Sequence, residues 1–343
     1  AVMMPMMTLL MSGLTLSIYW IGAYLIDPAG MMDKITLFSN MVVFSAYAMQ
    51  VIMSFMMLVM IFILLPRASV SAARINEVLN TEPTILEGTQ TEGKPGMTGT
   101  VEFRNVNFRY PGAADDALHD ISFSVQQGET IAFIGSTGSG KTSLINLIPR
   151  FFDATGGEVL VDGRNVREYT EEALNNKIGF VPQKAVLFGG TVESNVRYGD
   201  NGRASATLED VKQAVHIAQS TSFVEGMEGQ YEAEVAQRGT NLSGGQKQRL
   251  SIARAVCRKP EIYIFDDSFS ALDYQTDRQL RTMLKKETAG VTSMIVAQRI
   301  GTILDADRIV VLDEGSVAGI GTHKELLKTR EVYREIAMSQ LSE

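Results

Sequence analysis

The residues most able to do chemistry lie in a glycine-rich loop, Gly135-Ser-Thr-Gly-Ser-Gly-Lys-Thr142. The loop follows an apolar stretch typical of a strand, Ile131–Ile134, and opens a predicted helix over Lys141–Pro149. Glycines let backbone N–H groups curve around phosphate oxygens, while the lysine contacts the β- and γ-phosphates and the next hydroxyl binds Mg²⁺. The sequence therefore predicts a nucleotide-phosphate site made by Gly135, Ser136, Thr137, Gly138, Ser139, Gly140, Lys141, Thr142 and Ser143.

A second chemical candidate is an apolar strand that ends in a carboxylate, Ile262-Tyr-Ile-Phe-Asp266. Such a carboxylate can hold Mg²⁺ through water. Taken alone, the pattern is equally consistent with a solvated aspartate at the end of a strand. Its place downstream of the phosphate-binding loop favours the metal role, so we predict that Thr142 and Asp266 are Mg²⁺ ligands.

A third stretch, Leu242-Ser-Gly-Gly-Gln246, lies about a hundred residues after the phosphate-binding loop. With that loop it resembles the paired motifs of the ATP-binding cassette (ABC) transporters. The resemblance implies that ATP is held between two copies of the domain. One copy would contribute Lys141, and the other would contribute a signature made of Leu242, Ser243, Gly244, Gly245 and Gln246.

The same resemblance implies roles for three further residues. Gln183 matches the family's Q-loop glutamine, whose amide reaches Mg²⁺ and the attacking water. Tyr110 resembles the aromatic residue that stacks on adenine, although a tyrosine packed on the surface is the simpler alternative. Asp273, in Ser270-Ala-Leu-Asp273, resembles the D-loop that faces the partner domain.

Two residues depart from the family pattern at the reaction centre. Asp267 stands where active members have the glutamate that polarises water, and Gln298 stands where they have histidine. The shorter carboxylate is withdrawn by roughly one C–C bond, ~1.5 Å, and a misplacement of about 1 Å can reduce a rate on the order of a hundredfold. A glutamine can donate a hydrogen bond but cannot take up a proton. Either change alone could be neutral variation, but together they predict retained ATP binding with weakened hydrolysis.

The N-terminal part of the chain has a different composition. Residues 1–26 and 35–66 carry no charged side chain, and a helix needs roughly 20 apolar residues to cross a bilayer. We interpret them as a transmembrane hairpin, with a buried helical pair in a soluble core as the alternative. Arg67 and Arg74 follow the second span, so the positive-inside rule predicts that the remainder is cytosolic.

The rest of the chain is predicted to form two further regions. The second span continues as a helix to residue 80, and residues 81–99, rich in Pro, Gly, Thr and Glu, indicate a linker. From residue 100 to 343, strand patterns alternate with helical ones, which predicts an α/β domain with a largely parallel sheet. Residues near 190–255 are mainly helical in pattern. The fold class is therefore a membrane helical hairpin followed by a phosphate-loop NTPase domain with a helical subdomain. The predicted strands are Val101–Phe108, Ile121–Val125, Ile131–Ile134, Glu158–Val161, Ile178–Val181, Ile262–Phe265, Ser293–Val296 and Arg308–Leu312.

The resemblance implies a multi-pass exporter half in the cytoplasmic membrane, of which residues 1–80 would be the last part of the membrane domain, with earlier spans missing. ATP and Mg²⁺ are the expected cofactors, and drug-like or lipid-like amphiphiles are the expected substrates. The intact signature beside a weakened site resembles the degenerate-site half of heterodimeric bacterial exporters, which predicts a second half-transporter as partner. The net charge of −8 does not suggest nucleic-acid binding.

Three alternatives remain open. A homodimeric exporter with two slow sites would use the same motifs. An ATP-gated channel or regulatory subunit belongs to a different class and would not move a substrate uphill. A soluble ABC ATPase of repair or translation would be excluded by two genuine membrane spans.

Overall fold

The computed structural model describes residues 3–199, 201–202 and 205–341. The chain divides between Thr84 and Ile85 into two compact units. Each unit is described by itself below.

The N-terminal unit is built from two helices, α1 (Met3–Ile26) and α2 (Met31–Leu79), that contact each other. Both are long and apolar enough to cross a membrane: the 18-residue windows tested within Pro5–Ile26 and Met31–Leu79 have mean hydropathies of 1.6 and 2.5. No residue of α2 is buried, and Trp20 of α1 is 77% exposed. A buried helical pair in a soluble core does not fit this exposure, because such helices would hide their apolar side chains.

The C-terminal unit alternates strands with helices. Its strands are β1 (Val101–Phe108), β2 (Leu118–Val125), β3 (Thr130–Ile134), β4 (Gly156–Val161), β5 (Arg164–Asn165), β6 (Ile178–Val181), β7 (Gly190–Thr191), β8 (Glu234–Val235), β9 (Ile262–Asp266), β10 (Thr292–Val296), β11 (Arg308–Asp313) and β12 (Ser316–Gly321). Its α-helices are α3 (Lys141–Asn146), α4 (Glu171–Lys177), α5 (Val192–Arg197), α6 (Leu208–Ile217), α7 (Thr221–Glu225), α8 (Gly244–Cys257), α9 (Tyr274–Glu287), α10 (Ile300–Ile303), α11 (His323–Thr329) and α12 (Glu331–Leu341). Short 3₁₀ turns cover Val166–Glu168, Gln230–Glu232 and Gln237–Gly239.

The strands form a six-stranded sheet in the order β12-β11-β3-β10-β9-β6, a four-stranded sheet in the order β2-β1-β4-β5, and a small β7-β8 pair. In the six-stranded sheet all neighbours are parallel except β11 and β12. The four-stranded sheet is antiparallel throughout. Because β6, β9, β10 and β3 run parallel, their carboxyl ends meet at one edge of the sheet.

The six-stranded sheet is buried on both faces. In β3, Ile131 and Phe133 pack into the core shared with the antiparallel sheet, whereas Ala132 and Ile134 pack into the core shared with the helical lobe. Both faces of a strand are therefore apolar, which explains its continuous run of hydrophobic residues. The helical lobe is carried by α5 to α8 between residues 192 and 257.

The second half of the predicted linker is attached to the C-terminal unit. Gly88 N–H donates to Tyr169 O at 3.0 Å, and Lys94 N–H donates to Asp162 O at 2.8 Å. Gly99 N–H donates to the carboxylate of Asp162 at 2.7 Å. Residues 88–99 are thus a hydrogen-bonded strap rather than a free tether.

The predicted fold class is confirmed, and the eight predicted strands are all present within a few residues of their expected ends. Three details were wrong or missing. The helix predicted over Lys141–Pro149 ends at Asn146, because the chain turns before Pro149 and Arg150 adopts a left-handed φ of 59°. The separate antiparallel sheet was not predicted, nor was β12. The predicted helical character of residues 190–255 is observed over α5 to α8 in the described part of this range, apart from the short β7-β8 pair and the 3₁₀ turns.

Candidate nucleotide-binding site

The candidate site lies where the parallel strands end. The glycine-rich loop follows β3, Gln183 follows β6, Asp266 ends β9, and Gln298 follows β10. Residues far apart in sequence are brought together because their strands are neighbours with the same direction.

These residues line one cavity with a volume of about 350 Å³, within the usual size of small-molecule sites. Eleven of its lining residues were predicted from the sequence, and Ala117 and Val296 were not. The lining residues are Tyr110, Ala117, Thr137, Gly138, Gly140, Lys141, Thr142, Ser143, Gln183, Asp266, Asp267, Val296 and Gln298.

The glycine-rich loop requires its glycines. Gly140 has a left-handed φ of 94°, and a Cβ there would lie 2.7 Å from the Leu118 side chain and 2.9 Å from Ala117 O. A Cβ on Gly135 would lie 2.1 Å from the carbonyl oxygen of Leu312. The loop therefore takes its curved conformation only with glycine at these positions, and it leaves an open concave backbone, as a phosphate cradle needs.

Lys141 is a buried cation without a carboxylate partner. Its Nζ donates to Gly135 O at 2.9 Å, Ser136 O at 2.7 Å and Ser139 Oγ at 3.3 Å. Burial lowers the pKa of its ammonium group, and Asp267 and Asp266 oppose that shift. Among the residues that the structure describes, no ion pair within 4.0 Å involves Lys141. A cation held in this way fits a phosphate ligand, which would supply the missing negative charge.

Thr142 and Asp266 form the candidate Mg²⁺ position. Thr142 Oγ1 donates to Asp266 Oδ1 at 3.2 Å, so two oxygen ligands stand side by side. Burial and the neighbouring Asp267 raise the pKa of the Asp266 carboxyl above its ordinary value. No cluster of three metal-ligating His, Cys, Asp or Glu side chains occurs in the described part of the chain. A pair of ligands suits Mg²⁺, which keeps several waters and binds phosphates as well.

Asp267 is the centre of a small network. Its Oδ2 accepts hydrogen bonds from Gln183 Nε2 at 3.1 Å and from Gln298 Nε2 at 2.8 Å. Its backbone has a left-handed φ of 45°, and its N–H donates to Val296 O at 3.0 Å. The side chain is only 7% exposed, so its position is set by these contacts. The three residues predicted to act in hydrolysis are thus directly connected.

Tyr110 stands at the aromatic side of the cavity. Its hydroxyl is 2.9 Å from Ser143 Oγ, and its ring contacts Phe108 and Phe152 edge to face, with centroids 4.7 and 5.2 Å away. The ring is therefore both packed against the antiparallel sheet and part of the cavity lining. Stacking on a base remains a prediction.

The signature residues do not line this cavity. Ser243 caps α8: its Oγ accepts from Gln246 N–H at 3.3 Å, and Gln246 Oε1 accepts from Ser243 N–H at 2.9 Å. Ser243 and Gly244 are exposed, whereas Leu242 is buried. Asp273 likewise caps α9 by accepting from Thr276 N–H at 2.9 Å. Within one chain these motifs are apart from the predicted nucleotide.

The chain was compared with known protein families and structures. The ABC transporter family profile matches residues 118–270. An uncharacterized ABC transporter ATP-binding protein of Mycobacterium tuberculosis (strain ATCC 25618 / H37Rv) is 43% identical over 342 residues, which is 99% of this chain and 57% of that protein. A putative multidrug export ATP-binding/permease protein of Bacillus subtilis (strain 168), YgaD, is 40% identical over 240 residues, 70% of this chain and 41% of that protein.

Among solved structures, a bacterial Atm1-family ABC exporter with ATP bound matches with a TM-score of 0.81 and 30% identity. The match covers 98% of this chain and 58% of that one. The chain thus spans less than two thirds of the relatives that it matches. It includes the stretch matched by the ABC transporter family profile together with a helical hairpin that precedes it. From the motif geometry and these matches, residues 118–270 form an ABC transporter domain, and the chain is similar in sequence and in fold to ABC exporters.

Proposed function

We propose that the chain is the ATP-driven half of an exporter in the cytoplasmic membrane. Residues 1–80 would be the last part of its membrane domain, with spans near 1–26 and 35–66 and a cytosolic extension to 80. Residues 81–99 would connect it to the cytosolic nucleotide-binding domain, 100–343. The two apolar helices and the exporter-like relatives support this arrangement.

The observation that carries the ATP-binding proposal is the Lys141 ammonium, which forms no ion pair with any described residue. It lies within a glycine cradle, beside the Thr142–Asp266 oxygen pair. Mg·ATP would supply the transferable phosphoryl group when bound. Lys141 would hold the β- and γ-phosphates, Thr142 and Asp266 would hold Mg²⁺ with the Gln183 amide nearby, and Tyr110 would stack on adenine.

Asp267 and Gln298 would make this site a weak hydrolytic one. Asp267 would have to polarise the attacking water with a carboxylate that two glutamine amides already hold. Gln298 can hold a phosphate oxygen through its amide but cannot relay a proton. Binding would therefore be retained while turnover is slow.

The exposed signature would complete the ATP site of a second half-transporter. The Ser243 hydroxyl and the backbone N–H groups of Ser243 and Gly244 do not line the cavity of the same chain. An intact signature beside a weakened own site favours a heterodimer, in which the partner's site hydrolyses most of the ATP. Closure of the two domains on ATP would drive export of an amphiphilic drug or lipid.

The alternatives keep the same ATP site. A homodimeric exporter would show brisk ATP hydrolysis when this chain is purified alone, because both sites would be equivalent. An ATP-gated channel or regulator would show nucleotide-dependent gating without uphill flux of a substrate.

The direct test measures Mg·ATP binding to the purified full chain in detergent by calorimetry. Lys141→Ala should weaken binding at least about a hundredfold, because charge-assisted bonds to two phosphates are lost. Lys247→Ala, a lysine on α8 outside the cavity, is the matched control and should bind as before. Equal affinity of the Lys141→Ala variant and the unchanged chain would contradict the proposed site.

A further inference from the structure

The C-terminal helix reaches the segment that carries Gln298. Gln340, near the end of α12, donates from Nε2 to the backbone oxygen of Gln298 at 2.7 Å. Its Oε1 accepts from the backbone N–H of Ile300 at 2.8 Å. One side-chain amide thus holds the backbone on both sides of Arg299.

The segment needs this external partner. Arg299 is the N-cap residue of α10, and its side chain makes no capping hydrogen bond. A helix start leaves N–H groups without partners inside the helix. Gln340 Oε1 therefore supplies a side-chain acceptor for an N–H group at the start of α10, as a local serine or aspartate cap would otherwise do.

Gln340 is itself held in place by the fold. Tyr333 and Ala337 of α12 are fully buried in the core shared with the helical lobe, and the Tyr333 hydroxyl is 2.7 Å from His323 Nδ1. Residues 333, 337 and 340 follow the spacing of one helix face. The buried face of α12 therefore ends in the amide that contacts the Gln298 segment.

We infer that Gln340 is a positioning residue for hydrolysis, acting on Gln298 and through it on Asp267. This inference rests on the proposed ATP site, because it deepens the role of the same residues. The connection runs from Gln340 to the backbone of Gln298, and from the Gln298 amide to Asp267 Oδ2 at 2.8 Å. The C-terminal helix would thus set how the switch glutamine meets the water-polarising carboxylate.

The experiment measures steady-state ATP hydrolysis by the full transporter. The partner chain's phosphate-loop lysine is changed to alanine, so that turnover reports the site of this chain; in a homodimer that change is omitted. Gln340→Met keeps the length of the side chain and removes both hydrogen bonds. It should lower kcat about fivefold to tenfold, the effect of one to two exposed hydrogen bonds, with KM for ATP changed less than about twofold.

Gln340→Glu supplies a readout that a merely structural role would not change. Its carboxylate can accept from Ile300 but can donate to the Gln298 oxygen only when protonated. A glutamate carboxyl stays ionised near neutral pH, so Gln340→Glu keeps the bond from Ile300 N–H and loses only the bond to the Gln298 oxygen. It should therefore lower kcat at least as much as Gln340→Met does, whereas a role confined to capping α10 would leave its kcat unchanged.

Gln213→Met, at an exposed glutamine of α6, is the matched control and should leave kcat unchanged. The inference is overturned if Gln340→Met retains the original kcat, if Gln213→Met loses as much, or if Gln340→Glu retains the original kcat. Those results would leave the proposed function intact as long as Lys141→Ala weakens ATP binding as expected. Unchanged binding in Lys141→Ala would instead mean that the ATP site itself is wrong.

Discussion

At the scale of single residues, the site is defined by what each side chain can donate or accept. Lys141 presents a cation to the cavity, and Thr142 and Asp266 present adjacent oxygens. The Asp267 carboxylate differs from these groups, because one of its oxygens already accepts hydrogen bonds from the side-chain amides of Gln183 and Gln298. Our proposal of weak hydrolysis at this site rests on that shared oxygen.

The first prediction concerns this carboxylate. Asp267→Glu combined with Gln298→His should raise turnover at this site on the order of tenfold to a hundredfold. The longer carboxylate would move toward the water, and the imidazole would replace an amide that cannot take a proton. Turnover is measured in the full transporter with the partner's ATP site disabled.

The control for that experiment is Asp267→Asn. It keeps the size of the side chain but removes its negative charge, so residual hydrolysis should fall while Mg·ATP binding persists. If the double variant is no faster than the original protein, the two departures are not the cause of slow hydrolysis.

The chemistry-bearing residues could be predicted from the sequence because their motifs are local. The loop from Gly135 to Thr142 and the strand ending at Asp266 are each recognisable from a few consecutive residues. The hydrogen bonds that join Gln183, Asp267 and Gln298 could not be predicted in this way, because they depend on which strands are neighbours. Gln340 gave no signal at all, since the sequence does not distinguish it from any other polar residue near the end of an amphipathic helix.

At the scale of elements, the parallel strands bring the residues of the site together. Local departures from regular strand geometry limit how well the hydrophobic pattern predicts where a strand begins. Asn105 and Asp120 have left-handed φ values of 47° each, and Asn105 Nδ2 donates to Asp120 Oδ1 at 2.7 Å. The β1–β2 pairing shifts register there, so β2 starts at Leu118, before its alternating pattern is visible. The strand β12 (Ser316–Gly321) was missed because its two glycines weaken the pattern typical of strands.

The second prediction concerns how the strap of residues 88–99 is held. The buried hydroxyl of Thr292, on β10, donates to Gly99 O at 2.5 Å and accepts from Gly128 N–H at 3.1 Å. Thr292→Val keeps the volume and loses both bonds. It should reduce the free energy of unfolding by about 1–3 kcal/mol, because the buried Gly99 carbonyl and the half-buried Gly128 N–H lose their partner.

Thermal unfolding of the full chain in detergent checks this expectation. Thr292→Ser retains the hydroxyl and is the matched control, with a smaller loss that reflects only the missing methyl group. A Thr292→Val variant as stable as the Thr292→Ser variant would show that the strap does not depend on these bonds.

At the scale of the whole molecule, the two units have different expected roles. The N-terminal helices expose apolar side chains suited to a bilayer, and the C-terminal unit carries the cavity proposed to bind ATP. The hairpin was predictable from two uncharged stretches, since length and composition alone define a candidate span. Partner and substrate are not encoded in any local pattern and remain proposals.

In the proposed function, this chain binds ATP at a weakly hydrolytic site and supplies its signature to the ATP site of a partner half-transporter. The most direct measurement compares the ATPase rates of Ser243→Arg and Lys141→Ala in the purified two-chain transporter. Ser243→Arg should nearly stop the whole complex, because the bulky cation displaces the hydroxyl and exposed backbone that would grip phosphate at the partner's active site. Lys141→Ala affects the weak site and should leave a clearly larger residual rate. Equal residual rates would favour two equivalent sites, and a milder effect of Ser243→Arg than of Lys141→Ala would contradict the account.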